Sequence, residues 1–308
     1  MSEEHSFLEL NRLFEAFEKV RKNRGCAGAD GVTIPQYSKE LFQNLTLLKN
    51  DVRERRYLPF PLLKILVDKG YGEARSLCIP CVRDRVLQTT ILDIVGPILE
   101  NEFENGSYAY RQGRSVKQAV QQVRFYYEQG YKWVVDADID AFFDSVDHSI
   151  LFQKINEYIS NESVTHLIRL WIKGEIWDGS SISIPTQGIP QGSPISPILA
   201  NLFLDELDET LEKENYKYVR YADDFLVLCK SADKAGQALR LTEKILEELE
   251  LELDEADIKE FSQGFKFLGV IFVNRLVLKS NQKKSKKIFA FPPPLNKEEY
   301  ILLKKEQT

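Results

Sequence analysis

"VRYADDFLVLC", residues 219–229, sets two adjacent carboxylates, Asp223 and Asp224, between two apolar half-strands. Like charges flanked by Val, Tyr, Phe and Leu repel one another where water is scarce, so something must offset them. An Asp pair at a strand-to-strand bend is by itself ordinary turn chemistry, because Asp suits turns. The neighbouring segments decide the reading. "YKWVVDADI" (131–139) reads as a strand and "VDHSILFQKINEYI" (146–159) as a helix. "YKYVRYADDFLVLCK" (216–230) reads as two strands folded at the aspartates, "SADKAGQALRLTEKILEELEL" (231–251) as a helix and "FKFLGVIFV" (265–273) as a final strand. The order β-α-β-β-α-β is the split βαβ, ferredoxin-like arrangement.

In that topology the first strand lies beside the hairpin, so Asp138 of "DADIDAFFD" (136–144) is expected to face Asp223. Strand alternation turns Asp224 the other way. Carboxylates from two strand ends, with no cation between them, make a hard oxygen site suited to Mg²⁺. Two ions about 4 Å apart activate a 3′-hydroxyl and stabilise a departing pyrophosphate.

Working outward, "SFLELNRLFEAFEKVRKNRG" (6–25) reads as a helix opened by a Ser6–Glu9 capping box. "LLKILVDKGYGEARSLCIP" (62–80) reads as two strands around a Gly-rich turn. "VRDRVLQTTILDIVGPILENEF" (82–103) is helical up to a kink or end at Pro97, and Ser115 caps a helix that stops near Gly130. A segment around 180–200, with "PTQGIPQGSPISP", precedes "SPILANLFLDELDETL", a helix capped by Ser196 with Pro197 in its first turn. Five lysines within 279–287 and then three prolines give residues 276–308 the look of a basic linker.

Composition narrows the class. The 308 residues are 43% apolar, enough for a large subdivided unit or two domains. Apolar runs stay short of a membrane span, and the start "MSEEHSFLEL" is acidic, unlike a signal or transit peptide. Four cysteines, including the lone "CIPC" (78–81), point to a reduced, cytoplasmic protein rather than a disulfide framework or zinc site. Three histidines without ligand spacing speak against a histidine-based hydrolase. Net charge is −6, but Lys49–Arg124 holds 13 basic and 9 acidic residues against 8 and 18 in Asp205–Glu260. A positive face in the first half suits a polyanionic partner.

Eight ordered blocks together carry a resemblance: "GADGVT", "RRYLPFPL", "KGYGEARSLCIPCVRDRVLQ", "SYAYRQGRSVKQAV", "VVDADIDAFFDSVDH", "GIPQGSPISPILANLFLDELD", "VRYADDFLVL" and "GFKFLGVIF". The chain resembles bacterial reverse transcriptases of the group II intron type up to about Arg275. The resemblance implies an α+β right-hand polymerase, with fingers over 1–131 and a palm over 132–275 built on the ferredoxin-like core. A thumb would be absent or very short, since little more than 30 residues follow Arg275. Implied ligands are two Mg²⁺, replaceable by Mn²⁺, together with an RNA template, a DNA or RNA primer and dNTPs. Asp138, Asp223 and Asp224 match the metal-binding triad, with the carbonyl of Ile139 as a further ligand. Lys69 and Arg75 match the pair that grips the triphosphate. Of Phe142 and Phe143, the latter matches the aromatic wall that excludes a 2′-hydroxyl. Gln191, with Gly192, matches the loop that contacts template or incoming nucleotide. Leu268 and Gly269 match the loop supporting the primer end, and Arg111 and Arg114 would line the template path.

One departure concerns proton transfer. Glu255 stands where relatives often carry a lysine able to protonate pyrophosphate, which leaves that acid unassigned. "FLGVIF", the missing lysine and the basic, Pro-rich tail look similar to the branch associated with CRISPR arrays, implying a spacer integrase complex as protein partner. Two rivals remain. A nucleotide cyclase would share the palm topology but want a G-G-[DE]-[DE]-F run, which is absent. An idle palm serving as a nucleic-acid-binding scaffold would not need the intact aspartates.

Overall fold

The computed structural model describes residues 7–70, 73–279, 288–290, 292–296 and 298–301. In chain order the first stretch contains α1 (Leu10–Lys22), α2 (Ile34–Lys39), α3 (Leu41–Arg53), β1 (Leu62–Gly70), β2 (Glu73–Ile79), α4 (Val82–Glu100) and α5 (Val116–Glu128). The middle contains β3 (Trp133–Ile139), α6 (Phe142–Ser145), α7 (His148–Tyr158), α8 (Glu162–Ile172), β4 (Ile176–Trp177), β5 (Ile182–Ser183), α9 (Ser196–Phe203) and α10 (Asp205–Lys213). The last stretch contains β6 (Lys217–Tyr221), β7 (Asp224–Cys229), α11 (Ala232–Glu248), β8 (Leu253–Glu260), β9 (Phe265–Phe267), β10 (Val270–Val273), β11 (Leu276–Lys279) and β12 (Ile288–Ala290). The architecture is mixed α+β. Two compact units share the chain: residues 1–98, 155–196 and 284–308, and residues 99–154 and 197–283. No helix among the described residues is long and apolar enough to cross a membrane.

The first unit holds a sheet ordered β12-β1-β4-β5, with β2 on the other edge of β1. β1 and β2 form the expected antiparallel hairpin, from Leu63↔Ile79 to Gly70↔Glu73. The segment expected to be a linker departs from that expectation. Residues 280–287, the core of the lysine run, lie outside the described residues, but β12 then pairs antiparallel with β1 at Leu66↔Ala290. Trp177 Nε1 donates to the Pro293 carbonyl at 3.0 Å and Leu295 N–H to the Ala29 carbonyl at 2.6 Å. Leu295 is buried with Ala29, Leu63, Ile65 and Trp177. Apolar burial overrides the local Pro-rich signal, because stiff proline backbone costs little entropy to dock.

The second unit is built on a sheet ordered β6-β7-β3-β8, antiparallel throughout. Counting only its own strands, the order is second, third, first, fourth, the ferredoxin-like arrangement. The fourth strand, however, is not "FKFLGVIFV". It is "LDEADIKE" (253–260), which alternates against β3 with Ala137↔Ala256 and Val135↔Ile258 on one face and Asp136↔Asp257 on the other. Its acidic content makes it read as a continuation of α11, yet Glu250 at φ 56° breaks the helix first. "FKFLGVIFV" instead folds back on itself as β9 and β10, because Leu268 (φ 49°) and Gly269 (φ 77°) turn the chain. Its buried Phe265, Phe267 and Phe272 join Val134, Val219 and Leu226 of the sheet and Val123 and Tyr127 of α5 in one core.

Smaller differences follow local chemistry. α4 runs through Pro97 to Glu100. α1 begins at Leu10, its Glu9 cap makes no side-chain bond, and Ser6 lies outside the described residues. The helix expected over 196–211 is broken at Leu204 into α9 and α10, and Ser196 Oγ donates to the Pro190 carbonyl at 2.7 Å instead of capping. Ser115 does cap α5, accepting from Gln118 N–H.

Candidate active site

The candidate residues fall in two groups, one in each unit. In the second unit, β3 and β7 pair from Trp133↔Cys229 to Ala137↔Phe225. The next step of that register brings Asp138 level with Asp224, and residues directly opposite share a face of the sheet. Asp138 thus ends β3 beside the start of β7, near enough for its charge to act on Asp224, so Asp224 is not isolated from it. The β6–β7 ladder closes at Tyr221↔Asp224, so Ala222 and Asp223 form the tip, with Ala222 in the left-handed region at φ 62°.

Electrostatics agree with this crowding. The Asp224 carboxyl is pushed up to about 7, first by burial, then by the charges of Asp138, Asp136 and Asp223. The backbone N–H of Leu268 donates to it and pulls the other way, which ties the β9–β10 turn to the aspartates. Asp138 is exposed at the end of β3, where its Oδ1 accepts from Ile139 N–H at 3.1 Å. Among the described residues no three Asp, Glu, His or Cys side chains are already gathered as a metal cage. The donors are nevertheless all oxygens, and their mutual repulsion is what a hard divalent cation relieves, so these residues fit Mg²⁺.

Immediately after β3, Ala141 at φ 42° swings the chain into α6. Phe142 is 1% exposed and packs on Phe203 at 6.3 Å between ring centroids, so it belongs to the core. Phe143, 6% exposed, meets Phe142 edge to face at 5.3 Å. On β8, Glu255 is paired in register with Asp138, so the position expected to hold a lysine lies beside the aspartates, although its side chain is outside the described residues. Lys259, four residues on, donates to Asp136 at 3.1 Å and pairs with Asp257 at 3.0 Å.

Arg111 of "YRQGRS" does something other than expected. The guanidinium of Arg111 is buried and bonds Glu100 Oε1 from both Nε (2.9 Å) and Nη2 (2.8 Å). It also donates to the carbonyls of Phe103, Glu104 and Ser107. That uses all five N–H groups of an arginine. Arg111 is thus a brace for the α4–α5 connection, and the template-path expectation for it is corrected. Arg114 bonds the Asn105 carbonyl (2.8 Å) and Oδ1 (3.0 Å) and lies over the Tyr108 ring.

In the first unit Arg75 and Gln191, 116 residues apart, come together. Arg75 Nε donates to Gln191 Oε1 at 2.5 Å, and Cys78 N–H donates to the Gln191 carbonyl at 2.6 Å. Gly192 sits at φ 111°, where a Cβ would press the Cys78 carbonyl at 3.1 Å, so glycine is required for the loop to lie on β2. Lys69 lies in β1, and its side chain is outside the described residues. Arg83 and Arg85 are structural: Arg83 pairs with Asp51 at 3.0 Å and Arg85 bonds the Cys26 carbonyl at 2.5 Å.

Sequence reasoning passed over Arg220. It is fully buried within β6, paired with a buried Asp208 and bonded to Asn201 Oδ1 at 3.1 Å. The signal was present, a charge inside the apolar run "YVRY", which tolerates one only when it is paired.

A family model described as "Reverse transcriptase (RNA-dependent DNA polymerase)" matches residues 67–272. Protein YkfC of Escherichia coli (strain K12) is 29% identical over 88% of this chain and 81% of its own length. The group II intron-encoded protein LtrA of Lactococcus lactis subsp. cremoris is 28% identical over 67% of this chain, which spans 34% of that relative. Among solved structures, telomerase from Candida albicans covers 79% of this chain and 52% of its own, with a TM-score of 0.57 and 14% identity, a likeness of fold alone. A chain of a Cas6-RT-Cas1–Cas2 complex is 30% identical over 79% of this chain and 40% of its own, with a TM-score of 0.49.

Proposed function

The chain belongs to the reverse transcriptase (RNA-dependent DNA polymerase) family, and on that premise we propose that it extends a primer 3′-hydroxyl with dNTPs on an RNA template. The observation that carries the reading is that Asp138 and Asp224 stand at the ends of adjacent paired strands, with Asp223 next to Asp224 at the tip of the β6–β7 hairpin. In this reading Asp138, Asp223 and Asp224, with the Ile139 carbonyl, hold divalent metal. When bound, two Mg²⁺ ions supply charge stabilisation at the attacking and leaving oxygens.

The protein's own share is positioning. Arg75 is exposed on β2, and its planar fork suits a triphosphate once it releases Gln191. Gln191 and Gly192 then present a narrow loop, side chain and backbone, to template or incoming base. Phe143 walls the sugar against a 2′-hydroxyl. The Leu268–Gly269 turn, bonded through Leu268 N–H to Asp224, supports the primer end. In right-hand terms, the β1–β2 hairpin corresponds to fingers and the β6-β7-β3-β8 sheet to the palm. A spacer integrase complex is the protein partner we propose, on the resemblance carried by "FLGVIF" and the lysine-rich stretch, with a cytoplasmic setting.

Primer extension on poly(rA)/oligo(dT) with Mg²⁺ tests the reading. The parent chain should extend the primer, and Asp138→Ala should not, while melting at the same or higher temperature because a repulsive carboxylate is removed. Extension by Asp138→Ala near the parent rate would overturn the site. A parent chain that binds RNA but never extends under any metal would favour the scaffold alternative.

A further inference from the structure

Ala222 is a non-glycine residue held in left-handed backbone at the tip of the β6–β7 hairpin, and it is buried. Such a conformation persists only where its surroundings over-determine it. The carbonyl of Ala222 begins the peptide bond that carries Asp223. The group that reaches this carbonyl is Arg220 Nη1, at 3.1 Å.

Arg220 itself is immobilised from every side. Its Nε donates to both oxygens of Asp208, at 2.9 and 3.0 Å, and its Nη2 also pairs with Asp208. Its Nη1 donates to Asn201 Oδ1 at 3.1 Å, and Asn201 is in turn fixed by donating from Nδ2 to the Ala109 carbonyl at 2.9 Å. The Arg220 backbone is clamped as well, donating N–H to the Gly106 carbonyl at 2.8 Å and accepting from Tyr108 N–H at 2.9 Å. Stability alone is a poor account of this network. A buried ion pair seldom outperforms apolar residues of the same volume. A guanidinium does offer what no apolar side chain can, a rigid fork of donors in one plane.

We propose that Arg220 is a positioning residue: its guanidinium, locked by Asp208 and Asn201, orients the Ala222–Asp223 peptide and thereby aims the Asp223 carboxylate. Asp208 and Asn201 act through it, and the stretch 106–109 serves as the rail on which the hairpin is fixed. The inference rests on the metal-binding role assigned to Asp223.

The test separates positioning from stability. In Arg220→Met/Asp208→Leu both members of the pair are replaced by apolar side chains, so neither is left behind as the other's unpaired charge. Melting temperature, kcat and KM for dNTP, and Mn²⁺ binding by loss of the free-ion EPR signal are measured against the parent. We expect melting within a few degrees of the parent, KM within about twofold, kcat lowered about ten- to a hundredfold, and the Mn²⁺ midpoint raised by a similar factor, as for other supporting groups of a metal site. Parent-like kcat and Mn²⁺ midpoint in the folded double variant would overturn the proposal. If the double variant does not fold, Arg220→Lys decides, assayed well below its melting temperature. An ammonium satisfies Asp208 but lacks the fork, so the same signature is expected, and parent-like kcat and Mn²⁺ binding would overturn it. A parent that neither extends a primer nor binds Mn²⁺ would instead bring down the functional reading beneath it.

Discussion

At the scale of single residues, the proposed reading gives two adjacent buried phenylalanines separate duties. Phe142 fills the core against Phe203, whereas Phe143 sits one residue further round the short helix that follows the Asp138 strand. Phe142→Ala should therefore cost about 3–5 kcal/mol of stability through the cavity it leaves. Phe143→Ala should leave a folded enzyme whose rNTP use, relative to dNTP, rises roughly ten- to a hundredfold, the scale on which a pocket discriminates a small group. Competing rNTP and dNTP incorporation by both variants checks the assignment. A rise with Phe142→Ala alone would shift the register by one, and a rise with neither would remove the gate from this helix. The site was legible at this scale wherever a residue type has few uses, as with carboxylates at strand ends. It was least legible for arginines, because surface and interior arginines look alike in a sequence. Arg111, expected on the template path, is a buried brace, while Arg220, unremarked, stands beside the Ala222–Asp223 turn.

At the scale of elements, the sheet was readable because β3, β6 and β7 are short apolar runs bounded by clear turn signals. The fourth strand was not, since eight residues with five charges look like solvated helix until their neighbours are known. Lys259, which pairs with Asp257 on its own strand, also reaches Asp136 of β3, a cross-strand contact that no local window contains. The rail along β6 shows the same dependence on context. Gly106 follows α4, and its carbonyl accepts from Arg220 N–H, while a Cβ on it would overlap the ring of the buried Tyr218. Gly113, a few residues on, has left-handed backbone at φ 77° but open space around it. Gly113→Ala should thus cost only about 1 kcal/mol, from backbone strain. Gly106→Ala should cost about 1–3 kcal/mol from overpacking, and should lower kcat besides, because the hairpin bearing Asp223 must shift. Thermal melts and single-turnover extension on the two variants compare them directly. Equal costs in stability and rate would show that the rail does not constrain the hairpin.

At the scale of the whole molecule, charge sets how firmly the chain can hold nucleic acid. Grip on a duplex grows with the number of phosphates neutralised, and each contact is weakened by salt. The chain is net −6, and its Asp205–Glu260 stretch is strongly acidic. Arg111, counted at first among the cations of the template path, has no N–H left to offer. The three prolines, part of the stretch expected to be a linker, begin a segment committed to the first unit through Trp177, Ala29 and Leu295. Recruitment of a partner through the buried Pro292 and Leu295 would have to break these contacts, while Pro293 and Pro294 stay exposed. We therefore expect the purified chain to be distributive, adding few nucleotides per encounter, with products shortening steeply as salt rises from about 50 to 200 mM. A spacer integrase complex added in trans should lengthen them by supplying the missing phosphate contacts. Processivity is measured by preforming the complex with primer and template, then starting the reaction together with a heparin trap. Long products from a single encounter at physiological salt would show that the chain holds its template unaided, and the need for a partner in extension would fall with that result.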